Sequence, residues 1–245
     1  MKKLYSLLLV TGSVLILQNI AFAQAPYTLG IKAGVSIPNL KSSGDNLLDK
    51  GWESRTGPYL GLVAEVNLSD LIAITAEINY SSQGGKRTGA QAIPNPNNPP
   101  IPPYLYADFK NVAILNYVEV PIMTTFKFAL GSSTNLIVQG GPYGGFLLRA
   151  KNVSSGEGML YLDENLSIPV TPVQSFDHTT NIKDQIRSFN YGLQMGLGVA
   201  VDINSSTLRL MGGANYGLTS IQKDAVNGND HTGAITISLA YQFAL

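Results

Sequence analysis

The segment Phe189–Ile203 alternates between two kinds of residue without a break in phase. One set is apolar: Phe189, Tyr191, Leu193, Met195, Leu197, Val199, Val201 and Ile203. The other set holds small and polar residues: Asn190, Gly192, Gln194, Gly196, Gly198, Ala200 and Asp202. A helix would mix the two sets because its period is 3.6 residues, whereas successive side chains of a strand point to opposite faces. The segment is therefore predicted to be one long β-strand with an apolar face and a polar face.

The same alternation recurs along the chain, in segments near 29–37, 59–66, 72–80, 117–128, 135–148, 208–219 and 235–243. The segment 135–148 is the weakest because it is rich in Gly. Strands of about ten residues have the length needed to cross a bilayer at a tilt. Beyond residue 23 the chain has no apolar run of about 18 residues, so no transmembrane helix is predicted.

The connections between these segments alternate in length. The long ones lie near 39–56, 82–110, 149–186 and 221–231. The short ones lie near 67–71, 129–134 and 204–207. Outer-membrane barrels have long outer loops and short periplasmic turns. The sequence predicts an all-β fold, an eight-stranded antiparallel up-and-down transmembrane β-barrel, in the outer membrane of a Gram-negative bacterium with both mature termini periplasmic. A soluble lipocalin-like barrel, which would bury its apolar face, is the alternative.

The first residues have the pattern of a secretory signal peptide. Lys2 and Lys3 precede a mainly apolar stretch, and Ala21-Phe22-Ala23 is a small-residue cleavage pattern. We expect cleavage after Ala23, which divides the chain into a signal peptide at 1–23 and an outer-membrane β-barrel domain at 24–245. A retained membrane anchor is the alternative, but the apolar run is short for one.

The composition narrows the class of partner. The chain balances 16 basic against 16 acidic residues and has no basic stripe, so nucleic acid is not an expected partner. Charged residues make up 13%, about half the share usual for a soluble domain. The chain has no Cys, which excludes disulfides and lipid attachment through an N-terminal Cys. We expect a monomer in outer-membrane lipid, without a cofactor.

Three segments resemble a known family: Gly30-Ile-Lys-Ala-Gly-Val-Ser36, Leu115-Asn-Tyr-Val-Glu-Val-Pro-Ile-Met123 and Leu239-Ala-Tyr-Gln-Phe243. They are similar to the porin-family, or PorT-like, outer-membrane β-barrel domain of Bacteroidetes. The middle segment resembles that family's Tyr-x-(Glu/Gln)-(Ile/Val/Leu)-Pro pattern. The resemblance implies a barrel and carries no activity with it, although some PorT-like proteins are linked to protein secretion.

If the apolar face meets lipid, the polar face lines the lumen. Its charged members are Lys32, Glu65, Glu77, Glu119, Lys127, Asp202 and Arg209. They could form a charged conduit or a packed plug of ion pairs. Eight strands leave an interior only wide enough for side chains to fill it, which favours the plug. If the turn 204–207 pairs Ile203 with Leu208, Asp202 lies opposite Arg209.

The two histidines are the candidate residues for an enzyme. Asp177-His178 and Asp230-His231 are adjacent pairs in outer loops, and such pairs could orient a general base or bind a metal. Adjacent acidic and His residues are also ordinary in solvated loops, and no Gly-x-Ser-x-Gly or phosphate-binding motif is present. We therefore predict no enzyme, no catalytic residue and no metal site.

The outer loops are the remaining candidate. The Pro-rich stretch 93–103 is expected to be extended and stiff, either as a spacer or as a ligand for a partner. The loop near 151–187 is long and is expected to contain a hairpin around Met159–Leu162 and Ile168–Val173. The leading hypothesis is a narrow, closed barrel with a structural, adhesive or envelope-interaction role through these loops, with a protein partner. The alternatives are a transport or secretion-accessory role and a surface enzyme using His178 or His231.

Overall fold

The computed structural model describes residues 27–42, 51–95, 102–223 and 230–244. The predicted signal peptide at 1–23 lies outside these residues. In chain order the strands are β1 (Tyr27–Ser42), β2 (Gly57–Asn67), β3 (Ile72–Arg87), β4 (Ala90–Pro94), β5 (Tyr104–Asp108), β6 (Lys110–Ala129), β7 (Thr134–Ser155), β8 (Glu157–Gly158), β9 (Gln174–Ser175), β10 (His178–Asn181), β11 (Phe189–Ile203), β12 (Ser206–Gly217) and β13 (Asp230–Ala244). One 3-10 turn covers Lys183–Gln185. Among the described residues, no helix has the length and apolar character to cross a membrane.

Eight of these strands form a closed antiparallel ring in the order β1, β2, β3, β6, β7, β11, β12, β13. The ring closes where β13 pairs with β1, from Thr28 opposite Ala244 to Ser42 opposite Asp230. The predicted eight-stranded up-and-down barrel is therefore confirmed. Because the strands alternate in direction, the short turns lie at one end of the barrel, the short-turn end, and the long connections lie at the other, the long-loop end.

The apolar face of each strand points outward. On β11, Met195 is 64% exposed and Leu197 58%, while Asn190 and Gln194 are buried inside the ring. A soluble barrel would bury the apolar face, so the lipocalin-like alternative is wrong. The outward apolar band is the surface that lipid covers in a transmembrane barrel.

Five strands extend well beyond their predicted segments at the long-loop end, among them β1, which continues to Ser42, and β13, which begins at Asp230. β3 continues to Arg87, β6 begins at Lys110, and β7 continues to Ser155. Their outer ends pair through to Lys110 opposite Ser155. The apolar alternation predicts only the lipid-facing part of a strand, and backbone pairing continues beyond it because hydrogen bonding does not require apolar side chains.

The predicted register of the last short turn is wrong. Ser206 lies opposite Ile203, so Asp202 faces Thr207, and Arg209 faces Ala200. The connection is a two-residue turn, Asn204-Ser205, with Asn204 at φ 56°. Asn tolerates this left-handed conformation, which allows the tight hairpin and shifts the pairing.

Candidate functional site

The lumen near the short-turn end contains a charge cluster around Glu65, which is 1% exposed. Arg209 donates two hydrogen bonds to this carboxylate, from Nη1 to Oε2 and from Nη2 to Oε1, each at 2.6 Å. Lys127 Nζ lies 2.6 Å from Glu65 Oε1. The Thr75 hydroxyl donates to Oε2 at 2.8 Å. One buried carboxylate thus connects β2 with β3, β6 and β12.

A second pair occupies the middle of the lumen. Lys32 and Glu77 are both buried and form an ion pair. Lys32 Nζ also donates to the Tyr59 hydroxyl at 3.2 Å and lies 4.6 Å from the centre of that ring. Asn79 Nδ2 donates to both Glu77 Oε2, at 2.8 Å, and the Tyr59 hydroxyl, at 3.0 Å. These contacts join Lys32, Glu77, Tyr59 and Asn79 into one network across the lumen.

Glu119 has a different environment, although it is only 2% exposed. Gln83 Nε2 donates to Oε1 at 3.0 Å, and Asn215 Nδ2 donates to Oε2 at 3.3 Å. Within the described part of the chain, no cation lies at ion-pairing distance from this carboxylate. Its hydrogen-bond partners are therefore neutral amides from β3 and β12.

Asp202 lies apart from the buried charges. It is exposed at the short-turn end, where it accepts hydrogen bonds from Thr207 Oγ1 at 2.7 Å and Asn135 Nδ2 at 3.2 Å. It lines a cavity of about 740 Å³, and Lys127 and Arg209 contribute to the same wall. Of the seven predicted lumen residues, six therefore lie within the barrel, and Asp202 lies at its mouth.

An apolar layer crosses the barrel interior toward the long-loop end. Its buried members are Leu40, Ala113, Leu115, Tyr117, Leu147, Ala150, Ile186 and Ile221. Trp52 and Ile182 pack against them from the connecting segments. This layer was not predicted, although the sequence contains a signal for it: the inward positions of β6 change from polar to apolar at Tyr117, Leu115 and Ala113. The layer separates the lumen charges from the long-loop side.

The outer loops form a small sheet of their own, here called the outer sheet: β4, β5 and the hairpin 160–170. β4 pairs with β5 from Ala90 opposite Asp108 to Pro94 opposite Tyr104. Tyr106 and Tyr161 exchange two backbone hydrogen bonds of 2.8 Å, which attach the hairpin to β5. The predicted hairpin is present, since Leu162 N donates to Ile168 O at 3.0 Å and Val170 N donates to Leu160 O at 2.8 Å.

The Pro-rich stretch 93–103 joins β4 to β5. Its two flanks are paired, with Ile93 opposite Leu105 and the backbone of Asn95 donating to Pro103 O at 2.9 Å. Residues 96–101, which form its centre, lie outside the described residues. The predicted stiffness of that centre stays a prediction.

The two histidines have different surroundings. His178 is exposed at the start of β10. His231 Nδ1 lies 3.0 Å from Gly217 O, and its ring stacks on Tyr216 with 6.0 Å between centres. Over residues 27–42, 51–95, 102–223 and 230–244, no group of three His, Cys, Asp or Glu side chains is placed to hold a metal ion.

Several solved structures of outer-membrane barrels are similar to this chain. The attachment invasion locus protein Ail of Yersinia pestis is 14% identical, with a TM-score of 0.39 over 90% of this chain and 100% of that one. OprG of Pseudomonas aeruginosa is 10% identical, with a TM-score of 0.42 over 91% and 98%. The outer membrane protease OmpT of Escherichia coli is 9% identical, with a TM-score of 0.42 over 93% and 99%. At these identities and scores the similarities carry no argument about function.

No curated protein matches this chain. The narrower resemblance to PorT-like proteins of Bacteroidetes stays a prediction. A family model does match: the outer membrane protein beta-barrel domain aligns with residues 22–223. The closed ring with its outward apolar band agrees with that match. The match covers most of the chain, and this protein therefore belongs to the outer-membrane β-barrel domain family.

Proposed function

We propose that this protein is a closed outer-membrane barrel that binds a protein partner through its outer sheet, in an adhesive or envelope-interaction role. The observation that carries the proposal is the filled interior. Glu65, Tyr59 and Tyr117 are each 1% exposed, and the apolar layer lies beyond them. A barrel whose lumen is occupied by its own side chains offers partners its loops, and outer loops on a rigid scaffold are where binding residues concentrate.

The outer sheet has the chemistry of a protein-binding face. Tyr106 lies opposite both Ala92 and Tyr161, and Tyr104 lies opposite Pro94. Residues that lie opposite each other in a sheet share a face, and so do alternate residues along one strand. The side chains of Tyr104, Tyr106 and Tyr161 therefore lie on the same face. The three tyrosines are partly exposed. Tyrosine provides a large contact area at low conformational cost and is enriched in protein interfaces.

Two variants test the role of the outer sheet in cells that display the barrel. In the first, a short Gly-Ser linker replaces β4 and β5; in the second, Tyr106→Ala is combined with Tyr161→Ala. We expect both to lose cell–cell aggregation and to lose the adducts formed by a photo-crosslinking residue at position 164, an exposed site in the hairpin that both variants retain. The matched control is Lys223→Ala, which changes an exposed residue at the same end of the barrel. Unchanged aggregation and unchanged adducts in both variants would contradict the proposal.

A transport or secretion-accessory role is the second candidate, and the cavity at the short-turn end favours it. That cavity of about 740 Å³ is lined by polar side chains from the strand ends, including Asn67, Asn135 and Thr207. A periplasmic component of a secretion system could dock there without any solute crossing the barrel. Loss of secreted protein on Asn135→Arg, with barrel assembly intact, would favour this role over adhesion.

The proposal includes the processing and orientation of the chain. Removal of residues 1–23 would leave Gln24 as the first residue, close to the start of β1 at the short-turn end. Both mature termini would then face the periplasm. The mass of the purified protein tests the cleavage, and protease applied to intact cells tests the orientation. If protease added to intact cells cut the chain within the short turns, that result would contradict the proposed orientation.

We propose no catalytic role for the histidines. His231 is engaged with a backbone carbonyl and a tyrosine ring, and His178 is solvent-exposed on the surface strand β10. The variant His178→Ala with His231→Ala is expected to keep every peptide or lipid hydrolysis rate of the native barrel. Loss of a measured hydrolysis in this variant would reverse the proposal.

A further inference from the structure

A cluster of cations borders the lipid-facing band at the long-loop end, and we propose that it binds the phosphate headgroup of a membrane lipid. The cluster, here called the basic collar, consists of Arg149, Lys151, Lys183 and Arg187. Three of the side chains are exposed and that of Lys151 is partly exposed. The inference is independent of the outer sheet and of the protein partner proposed for it.

A β-bulge sets the lower edge of the collar. Leu147 pairs with Tyr117, whereas Arg149 pairs with Asn116, so Leu148 is an extra residue in β7. A bulge re-aims the side chains that follow it. Both Leu148 and Arg149 are consequently exposed, although they are consecutive. The outer surface thus changes from apolar to cationic within one residue step.

The segment 181–183 places a third cation at this level. It runs beside β7, with Asn181 opposite Lys151 and Ile182 N donating to Ala150 O at 3.2 Å. Lys183 Nζ donates to Leu148 O at 3.0 Å, which holds its ammonium group at the bulge. Each of these contacts is to backbone, and none of the described residues places a carboxylate at ion-pairing distance from Lys151 or Lys183.

The fourth cation lies next to an aromatic pair on the lipid-facing side. Phe146 and Phe189 are opposite each other on β7 and β11, with ring centres 5.1 Å apart, and both are about half exposed. Arg187 lies two residues before Phe189 and is anchored through Nε to Gln222 O at 3.0 Å. Aromatic residues mark the level where the apolar core of a membrane meets the headgroups. The collar therefore lies at the depth of the headgroups.

Within the part of the chain that the structure describes, the charge of the collar is not neutralised. Residues 146–155 and 178–189 hold its four cations and a single carboxylate, Asp184. Among the described residues, no collar member forms an ion pair. The short-turn end differs, because the turns 68–71, 130–133 and 204–205 contain no Lys or Arg. A one-sided basic surface continuous with the lipid-facing band fits an anionic headgroup in the leaflet at the long-loop end.

The test compares lipid selectivity of the full barrel in phosphatidylcholine vesicles, measured with spin-labelled phosphatidic acid against spin-labelled phosphatidylcholine. We expect the native barrel to prefer phosphatidic acid and the variant Arg149→Gln, Lys151→Gln, Lys183→Gln, Arg187→Gln to lose that preference. At low salt the expected loss is about fivefold for each cation removed. Asp184→Asn should strengthen the preference. Lys110→Gln, which removes an exposed cation at the outer end of β6 opposite Ser155, is the matched control and should leave the preference unchanged.

Three results would overturn the proposal: equal selectivity in the native barrel and the four-site variant, an equal loss in the Lys110→Gln control, or weaker selectivity in Asp184→Asn. If the four-site variant fails to fold, two other sets of variants test the proposal. The four single Gln variants should each weaken the preference for phosphatidic acid. The charge-conserving set Arg149→Lys, Lys151→Arg, Lys183→Arg, Arg187→Lys should keep it. A further control adds inorganic phosphate or chloride at equal ionic strength. Phosphate should displace no more of the spin-labelled phosphatidic acid than chloride does. Displacement by phosphate alone would identify a free-phosphate site and contradict a lipid ligand.

Discussion

Arg209 and Glu65 form a two-point ion pair inside the barrel, with both N–H···O distances at 2.6 Å. The pair joins β12 to β2, which are not neighbours in the ring. Lys127, which is partly buried, reaches the same carboxylate from β6, so one anion is shared by two cations. Removing the anion and removing one cation should therefore have unequal consequences.

We expect Glu65→Gln to lower the free energy of unfolding by about 3–5 kcal/mol, because Arg209 stays buried without a counter-charge and Lys127 also loses its partner. Arg209→Met should lower it less, since Lys127 still pairs with Glu65. Urea titration in lipid vesicles, followed by the fluorescence of the single Trp52, measures both values. Lys223→Gln, an exposed site, is the control. Equal losses for Glu65→Gln and Arg209→Met would contradict the shared-carboxylate arrangement.

The sequence predicts the barrel because lipid imposes a period of two on every strand. It does not predict which lumen residues pair, as Asp202 and Arg209 illustrate. Pairing of those two depends on the turn, and a single left-handed residue, Asn204, shifts the register by two positions. A small change in local backbone conformation thus decides contacts that periodicity leaves open.

The long-loop end was predictable only in part. The hairpin after Met159 has a local signal in its apolar segments, and the structure contains it. The attachment of that hairpin to β5 through Tyr106 and Tyr161 has no such signal, because it joins residues distant in sequence. The same holds for the apolar layer, where Leu40, Leu115 and Ile221 come from different strands and loops. Long-range contacts of this kind follow from the closed ring and not from any one segment.

Gly192 allows a close approach between β11 and its neighbours. A Cβ atom added there would lie 2.0 Å from Tyr216 O and 2.7 Å from the ring of Tyr143. We expect Gly192→Ala to lower the free energy of unfolding by about 1–3 kcal/mol, since the clash includes backbone that cannot move freely. Gly212→Ala is the control, because its nearest contact would be 3.7 Å from Leu197 O. The same urea titration measures the free energy of unfolding of both variants. If the two variants were equally stable, β11 would be able to shift and relieve the clash.

Asp163 fixes the tip of the outer hairpin. Its pKa is lowered because the Ser167 hydroxyl and the backbone N–H groups of Ser167 and Ile168 donate to the carboxylate. A group whose pKa is lower when folded stabilises the hairpin above its unfolded pKa, and this contribution is lost as the pH falls through the folded pKa. We expect amide-exchange protection of Ser167 and Ile168 to persist at neutral pH and to fall only in acid below the usual Asp range.

The variant Asp163→Asn provides the comparison for that pH dependence. The amide can accept hydrogen bonds but cannot titrate, so protection of the hairpin tip should become independent of pH across the acidic range. Protection that falls with acid equally in the native chain and in Asp163→Asn would assign the effect to another group.

The closed state of the barrel depends on two layers with different physical properties. The charge cluster blocks the lumen by ion pairing, and the apolar layer blocks it by excluding water. We expect no steady conductance from the native barrel in planar bilayers. Replacing Glu65, Lys127 and Arg209 together with Ser should also leave it closed, because the apolar layer remains dry. Leu115→Ser with Leu147→Ser should stay closed as well, because the charged pairs are intact. Because the Lys32–Glu77 pair also occupies the lumen, only a variant that adds Lys32→Ser and Glu77→Ser to these five changes should conduct. Steady conductance of the native barrel or of either partial variant would show that the layers do not seal independently.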